Sequence, residues 1–220
     1  MSANTPSSED EAIAALRREY RYGTLSEAEV SGDPVIQFQR WFAEAEQSMV
    51  LDHNAMALAT AWEGEPSVRT VLLKGVDETG LRWFTDRRSE KGHALTANPR
   101  AELLFHWREL DRQVRIRGRV VELSSDQSDG YFYSRPLGSQ LAAATSHQSY
   151  PIADRAVLEA RYQELAAAHT ETAPRPVIGA AIVCNRANLS FGREGKGDCT
   201  IACSIGYTKG FGAFSGCSLS

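Results

Sequence analysis

The segment RQVRIRGRVVEL at residues 112–123 constrains the fold most, because apolar and charged side chains alternate along it. A period of two predicts a β-strand, since successive side chains of a strand point to opposite faces of the sheet. A buried face opposite a charged face is typical of an antiparallel sheet with one side in water. The apolar side holds Val114, Ile116, Gly118 and Val120, and the other side holds Arg115, Arg117, Arg119 and Val121.

More strands are predicted before this segment. AMALATAW and SVRTVLLKGV flank a Gly-Glu-Pro turn, and LRWFT follows a second turn that contains Gly80. The predicted strands span 55–62, 67–76, 81–85, 101–107 and 112–123. The expected fold class is therefore mainly β with α (α+β), an antiparallel barrel of five or six strands with peripheral helices.

Helices are predicted between and around the strands. Asp33 and Pro34 form a strong helix start, with Asp as the N-cap and Pro at the first helical position. The apolar face of that helix is expected at Val35, Phe38, Trp41, Phe42, Ala45 and Met49. Further helices are predicted over 9–20, 89–97, 126–135 and 153–169, and residues 1–7 are expected to be disordered.

The composition limits the class of protein. An apolar fraction of 42% and a charged fraction of 24% are ordinary for a globular protein, and the net charge of −4 argues against coating nucleic acid or an anionic membrane. No apolar run approaches the roughly 18 residues of a membrane span. The polar, acidic start MSANTPSSEDEA does not resemble a secretory signal, so a cytoplasmic location is expected.

Two basic clusters are candidate phosphate sites. Arg69-Thr70-Val71-Leu72-Leu73-Lys74 is a strand with a cation at each end, which could bind a phosphate while its backbone lines a flat ring; the alternative is a solvated strand edge. Arg87-Arg88-Ser89-Glu90-Lys91 leads into a helix, where cations and free backbone N–H groups form an anion site. The alternative there is an ordinary charged loop.

A third cluster is YFYSRP at 131–136 with Ser139 and, further on, SHQS at 146–149. Tyr131, Arg135 and Ser139 are four residues apart, so on one helix they would share a face and could bind a second phosphate. Helix packing explains the tyrosine alone, but it does not explain an aligned Arg and Ser.

These clusters, in this order, resemble the pyridoxine/pyridoxamine 5′-phosphate oxidase family of FMN-dependent split-barrel homodimers. The likeness covers about residues 13–176, and the expected split-barrel domain spans 8–183. The motifs that carry it are LRREY, the Asp33-Pro34 start, R-x-V-L-L-K, FT with SEKG and NPR, DRQVRIRGRV, YFYSRP with GSQ, S-x-Q-S and PRP.

The resemblance implies specific roles for these residues. FMN would be bound by Arg69, Thr70, Val71, Leu72, Leu73, Lys74, Phe84, Thr85, Lys91, Gln113, Gln148 and Ser149. The substrate phosphate would lie on Lys74, Tyr131, Arg135 and Ser139, and Arg17, Arg18, Glu19 and Tyr20 would close over the substrate. The flavin would take a hydride from the substrate's C4′ carbon and be reoxidised by molecular oxygen, so no protein nucleophile is needed.

One residue inside this region departs from the family pattern. The family usually has Arg-Lys beside the flavin phosphate, and this chain has Glu90-Lys91. A carboxylate at that place would repel the anion unless Arg87 or Arg88 substitutes, or unless Glu90 points to solvent.

The chain after Pro176 does not resemble the family, which continues with W-G-G-Y/F-R, E-F-W-Q-G and R-L-H-D-R. The family motifs do appear when the reading frame is shifted, so that each codon is formed from the third base of one codon and the first two bases of the next. Residues 177–183 can then encode HWGGYR, residues 189–193 EFWQG, and residues 196–203 RRLHDRL. We therefore expect the tail, from about Val177, to be a frameshifted translation of an ordinary family C-terminus.

The shift in reading frame also explains where the sulfur lies. All four cysteines follow residue 183, at Cys184, Cys199, Cys203 and Cys217, and eight of the 17 glycines but no Trp lie in 177–220. The rival interpretation is a metal site, although the spacing lacks the tight pairs of zinc modules, and no metal is expected. Residues 184–220 are expected to be an aberrant, Gly-rich tail that is disordered or poorly packed, whereas VIGAAIV could still fill the last barrel strand.

Three functions remain in view. The first is FMN-dependent oxidation of pyridoxamine or pyridoxine 5′-phosphate to pyridoxal 5′-phosphate, impaired by the altered C-terminus. The second is a related flavin oxidase of the phenazine type, and the third is a split barrel that binds flavin or pyridoxal phosphate without turnover. The phosphate cluster around Tyr131 and Arg135 favours a phosphorylated substrate.

Overall fold

The computed structural model describes residues 29–77 and 80–176 and, as backbone strands, 178–182, 189–191 and 199–205. The helix predicted over 9–20, the disorder predicted for 1–7 and the residues Arg17–Tyr20 lie outside the described residues. The five helices of the described part are α1 (Pro34–Gln47), α2 (Glu90–Ala97), α3 (Ser125–Ser134), α4 (Leu137–Thr145) and α5 (Arg155–Ala168).

Nine strands form the β part of the described chain. They are β1 (Ala55–Trp62), β2 (Glu65–Leu72), β3 (Gly75–Asp77), β4 (Gly80–Asp86), β5 (Arg100–Trp107), β6 (Arg112–Val121), β7 (Ile178–Ile182), β8 (Leu189–Phe191) and β9 (Cys199–Ile205). Every paired neighbour is antiparallel except β8 with β9. The predicted α+β class is confirmed, and the predicted count of five or six strands is too low.

Strand β6 is the point at which the sheet divides. Its alternation is confirmed, with Val114, Ile116, Gly118 and Val120 buried and the intervening side chains exposed. One edge pairs with β5 from residue 112 to residue 119. The other edge pairs first with β9, over 112–117, and then with β7, over 120–121. The main strand order is β2-β1-β5-β6-β7-β4-β3, so β2 and β4 belong to opposite arms of a forked sheet.

Helix α1 closes the core over strand β5. The carboxylate of Asp33 accepts hydrogen bonds from Val35 N at 2.9 Å and Ile36 N at 3.3 Å, so the predicted cap is confirmed. The Phe38 ring lies 5.1 Å from that of Phe105 and 6.2 Å from that of Trp107, and all three side chains are buried. Burying three such rings contributes on the order of 2 kcal/mol each, which fixes the barrel beneath the site.

Two sequence expectations about this region are wrong. Met49 is 89% exposed, because α1 ends at Gln47 and Met49 adopts a left-handed backbone with φ of 52°. Regular structure continues beyond residue 183, because β9 pairs with six residues of β6. The β-branched residues of CTIACSI suit a strand beside an open sheet edge, whatever the origin of the sequence. Residues 178–182 do form a barrel strand, as expected, and the domain boundary at 183 stays a prediction.

Candidate active site

An open groove of about 640 Å³ lies between the arms of the sheet and the helices α3 and α4. This volume is in the range of small-molecule sites. The groove combines all three sequence clusters. It is lined by Arg69, Thr70, Val71, Leu72, Lys74, Phe84, Thr85, Asp86, Lys91, Tyr131, Arg135, Ala142, Ala143, Ser146, Gln148, Ser149 and Pro176.

Gln148 connects two of the predicted cofactor residues. Its Oε1 atom accepts a hydrogen bond from Lys91 Nζ at 2.9 Å and a longer one from Thr85 Oγ1 at 3.4 Å. The neighbouring Ser149 has a φ of 66°, in the left-handed region that few non-glycine residues adopt. The loop after α4 therefore makes a sharp turn at the place where it contributes to the groove.

The start of α2 is held by buried hydrogen bonds. Ser89 is the N-cap and is fully buried; its Oγ donates to Asp86 O at 2.6 Å and accepts from Gly92 N at 3.3 Å. The Asp86 carboxylate accepts hydrogen bonds from the backbone N–H and the guanidinium of Arg88, at distances from 2.7 to 3.0 Å. The position of Lys91 therefore depends on a fixed turn between β4 and α2.

The ionisation of Lys91 shows that the groove suits an anion. Burial lowers the pKa of Lys91 below its usual 10.5, and the charge of Arg69 lowers this pKa further. Two like charges that are partly removed from water are stabilised by an anion between them. The Thr85 hydroxyl adds a neutral donor beside Lys91, so this donor set fits a phosphate group such as that of FMN.

Glu90 does not line the groove, although it precedes Lys91. Its Oε1 atom accepts hydrogen bonds from Ser67 Oγ at 2.6 Å and from the Arg69 guanidinium at 3.3 Å, and its side chain is 57% exposed. Of the three compensations considered above, the last one holds in part, because Glu90 faces solvent while it binds Arg69. Arg87 and Arg88 do not line the groove; they form ion pairs with Glu122 and Asp86.

Arg69 is held from several sides. Besides Glu90, its guanidinium donates to Thr60 Oγ1 and to Ser67 Oγ, both at 2.8 Å. The side chain is only 20% exposed. Arg69 is thus a fixed cation on strand β2 rather than a mobile surface charge, which argues against the solvated-edge interpretation.

The second phosphate cluster is arranged differently from the prediction. The spacing of Tyr131, Arg135 and Ser139 predicts one helix, but the chain forms two, because Arg135 adopts an extended backbone with ψ of 149° before Pro136. A residue that precedes proline is disfavoured in the helical conformation. Tyr131 and Arg135 line the groove, whereas Ser139 lies on α4 and does not.

The Tyr131 ring lies close to two other side chains. It stacks on Phe84 with ring centroids 3.6 Å apart and ring planes 5° apart, and the guanidinium carbon of Arg135 lies 5.9 Å from its centroid. Burial raises the pKa of the Tyr131 hydroxyl, although Arg135 lowers it in part. The hydroxyl is therefore protonated at neutral pH and can donate a hydrogen bond to an anion.

Most of the predicted site residues within the described chain line this one groove. Besides Ser139, two predicted residues do not line it. Leu73 is buried in the core at 5% exposure, and Gln113 lies on β6 between β5 and β9. The predicted list omits Asp86, Ala142, Ala143, Ser146 and Pro176, which also line the groove. Ser146 and Pro176 fall inside the motifs S-x-Q-S and PRP, whereas nothing in the sequence distinguishes Ala142 or Ala143.

The structure limits two other interpretations. In the part of the chain that the structure describes, no helix is long and apolar enough to cross a membrane. No group of three His, Cys, Asp or Glu side chains could hold a metal ion among those same residues. The cysteine side chains lie outside the described set, so the rival metal site at the C-terminus is neither supported nor contradicted.

Comparison with solved structures confirms the class of fold. PhzG from Burkholderia lata 383, in complex with tetrahydrophenazine-1-carboxylic acid, superposes with a TM-score of 0.70 at 29% identity, over 74% of this chain and 82% of that one. A pyridoxamine 5′-phosphate oxidase-related, FMN binding protein from Nostoc punctiforme PCC 73102 gives a TM-score of 0.54 at 21% identity, over 70% and 82% of the two chains. The chain therefore has the split-barrel fold of FMN-binding proteins.

Comparison of sequences gives the family. The model of the family "Pyridoxamine 5′-phosphate oxidase" matches residues 42–169. Pyridoxine/pyridoxamine 5′-phosphate oxidases from Cupriavidus pinatubonensis and Burkholderia vietnamiensis are 52% and 51% identical over 165 residues, which is 74% of this chain and 78% and 77% of theirs. This chain belongs to the pyridoxamine 5′-phosphate oxidase family, a family of oxidoreductases, as the resemblance predicted.

Proposed function

We propose that this chain binds FMN in the groove and oxidises pyridoxamine or pyridoxine 5′-phosphate to pyridoxal 5′-phosphate. The observation that carries the proposal is that one groove holds four cationic side chains, those of Arg69, Lys74, Lys91 and Arg135. We assign Lys91 and Arg69 to a cofactor cluster, and Lys74 and Arg135 to a substrate cluster. Two phosphorylated molecules, a cofactor and a substrate, account for these four cations in a chain whose net charge is −4.

The cofactor residues follow from the hydrogen bonds at the start of α2. Lys91, Thr85 and Gln148 would hold the FMN phosphate, and Arg69 would add a fixed positive charge. Thr70, Val71 and Leu72 of strand β2 line the groove, so they would lie beside the flavin ring. When bound, FMN would supply the redox chemistry: it would accept a hydride from the substrate's C4′ carbon, the substrate would release a proton, and two electrons and two protons would then pass to molecular oxygen as hydrogen peroxide.

The substrate residues would act by orientation alone. Lys74 and Arg135 supply positive charge for the substrate phosphate, and the protonated hydroxyl of Tyr131 supplies a hydrogen bond. Holding the phosphate presents the C4′ carbon to the cofactor, and such positioning accounts for much of the catalysis when the cofactor does the chemistry. Arg17–Tyr20 and Ser139 remain part of the proposal, as does a homodimeric assembly.

We propose that the residues after Val177 limit the activity of this chain. The expected Arg and His of the R-L-H-D-R motif are replaced by KGDCTIAC. Losing charge-assisted contacts weakens binding by about ten- to a hundredfold each, so a low rate is expected.

A second candidate function has one observation in its favour. The similarity to PhzG, solved with tetrahydrophenazine-1-carboxylic acid, favours oxidation of a larger ring without a phosphate. The cationic residues Lys74 and Arg135 instead favour a phosphorylated substrate, and the identity to the vitamin B6 oxidases is higher, at 52% against 29%.

Anaerobic mixing of the FMN-loaded chain with substrate tests the proposal in a single turnover. Pyridoxamine 5′-phosphate should bleach the flavin absorbance, and air should then restore it with release of one hydrogen peroxide. Pyridoxamine without phosphate should bleach it far more slowly. A chain that binds FMN but is not bleached by either compound would be a binding protein, and bleaching only by a dihydrophenazine would support the second candidate.

A further inference from the structure

The stacked pair Phe84–Tyr131 joins two parts of the groove. Phe84 lies on β4, directly before Thr85, whose hydroxyl contacts Gln148 in the cofactor cluster. Tyr131 lies on α3, four residues before Arg135 in the substrate cluster. The two ring centroids are 3.6 Å apart with an angle of 5° between the planes. The stack thus connects the strand of one cluster to the helix of the other.

The stack is not ordinary core packing. All other aromatic pairs in the described part of the chain are tilted by at least 33°. Phe84 and Tyr131 are half-buried and line the groove, whereas their neighbours Trp83 and Phe132 are fully buried. The neighbours anchor β4 and α3, so the two rings are presented to the groove on rigid supports.

The stack fixes the direction of the Tyr131 hydroxyl. A tyrosine ring turns about two side-chain bonds, and both rotations are restricted by the parallel Phe84 ring and by the Arg135 guanidinium, 5.9 Å from the ring centroid. Tyr131 belongs to neither of the two hydrophobic core clusters of the described chain, and the aromatic ring on which it stacks is Phe84. Tyr131 and Arg135 line the same groove, so one phosphate can contact both groups.

We propose that Phe84 is a positioning residue, which holds Tyr131 toward the substrate phosphate and thereby favours phosphorylated over unphosphorylated substrates. This inference rests on the proposed function, because it requires a phosphate at Tyr131. In this role Phe84 acts through the stacking of its ring on Tyr131, while its side chain also lines the groove.

Binding of a substrate analogue that cannot be oxidised separates this role from catalysis. The probe is 4′-deoxypyridoxine 5′-phosphate, titrated calorimetrically into the FMN-loaded chain, with 4′-deoxypyridoxine as the control lacking phosphate. Phe84→Leu should weaken binding of the phosphorylated probe roughly three- to tenfold, the worth of an aromatic pair, and should leave the control unchanged. Phe84→Tyr keeps the ring and should bind like the wild type.

A double-mutant cycle completes the test. In a Tyr131→Phe background the hydroxyl is absent, so Phe84→Leu should add little further loss. Tyr133→Phe, on the exposed side of the same helix, is the matched control and should have no effect. The inference is overturned if Phe84→Leu causes equal losses of affinity in the wild-type and Tyr131→Phe backgrounds, or no loss in the wild-type background. Either result leaves the proposed function intact. A wild-type chain that binds neither probe overturns the proposed function and this inference with it.

Discussion

The ammonium group of Lys91 lies 2.9 Å from Gln148 Oε1, and this hydrogen bond joins the first turn of α2 to the loop after α4. Lys91→Met should weaken FMN binding about ten- to a hundredfold, because a charge-assisted contact to phosphate is lost. Riboflavin, which lacks the phosphate, should bind as before. Quenching of flavin fluorescence measures both affinities. Arg155→Met, on the exposed helix α5, is the control for loss of one cation, and an equal loss for riboflavin would contradict the phosphate role.

Glu90 should weaken FMN binding although it does not line the groove. The hydrogen bond from Ser67 and the charge of Arg69 lower the pKa of Glu90, so the carboxylate is ionised at neutral pH. Glu90→Gln keeps the size of the side chain and removes a negative charge beside Lys91 and Arg69. The FMN affinity should rise roughly two- to fivefold, with no change for riboflavin.

The same fluorescence titration checks this prediction. Glu159→Gln on α5, which also removes one carboxylate from a pair with an arginine, is the matched control and should change neither affinity. A fall in FMN affinity for Glu90→Gln would show instead that Glu90 is needed to hold Arg69 in place.

Gly92 is required by the tight turn that places Lys91. A Cβ atom at Gly92 would lie 2.1 Å from the backbone oxygen of Arg87, so alanine forces the start of α2 to move. Gly92→Ala should lower the free energy of unfolding by about 1–3 kcal/mol and weaken FMN binding. Gly130→Ala in α3 is the control, because nothing lies within 4 Å of its Cβ; it should be neutral or stabilising by up to ~1 kcal/mol. Urea denaturation measures the free energy of unfolding of both variants. Equal effects of Gly92→Ala and Gly130→Ala would contradict the role given to Gly92.

The fold was predictable where the signal is local and periodic. The alternation around Ile116 and the helix cap at Asp33 each depend on a few consecutive residues. The structure therefore shows both as the sequence predicted. The division of the β6 edge between β7 and β9 depends on chain segments far apart in sequence. No local pattern in RQVRIRGRVV encodes which segment will pair with it, so the strand count was too low.

The candidate site was predictable in its residues more than in its geometry. The family resemblance implied one pocket for Lys91, Thr85 and Gln148, and in the structure Gln148 accepts hydrogen bonds from the other two side chains. The regular spacing of Tyr131, Arg135 and Ser139 was misleading, because Pro136 ends one helix and starts another. The Phe84–Tyr131 stack depends on tertiary packing alone, and neither residue carries a sequence signal for it.

Asp86 should stabilise the protein in a pH-dependent manner. Burial opposes ionisation of Asp86, but the hydrogen bonds and the charge of Arg88 outweigh it, so the pKa of Asp86 lies below its usual 3.8. A lowered carboxyl pKa adds stability at neutral pH, and this stability is lost as pH falls through the folded-state value. Asp86→Asn should cost about 1–2 kcal/mol near neutral pH, a modest figure because Arg88 is 35% exposed.

Denaturation at two pH values checks the sign. The stability difference between the wild type and Asp86→Asn should shrink when the pH is lowered below about 4. Glu122→Gln removes a carboxylate from the exposed pair with Arg87 and should change little at either pH. A difference that persists undiminished in acid would mean that Asp86 acts by packing rather than by charge.

The reading frame after codon 177 is the strongest test of the proposed history of this chain. Three family motifs appear in the shifted frame although the residues fix most first and second codon bases, and the unshifted frame places all four cysteines after residue 183. Restoring the frame should raise turnover with pyridoxamine 5′-phosphate by at least roughly a hundredfold, since two charge-assisted substrate contacts return. Hydrogen peroxide release measures the rate.

A second variant separates restored packing from restored contacts. In this variant the in-frame tail replaces residues 177–220, but Arg and His of its R-L-H-D-R motif are changed to alanine. It should fold like the restored chain and yet turn over slowly. Equal turnover in the original and restored chains would show that the tail as written is an adequate C-terminus.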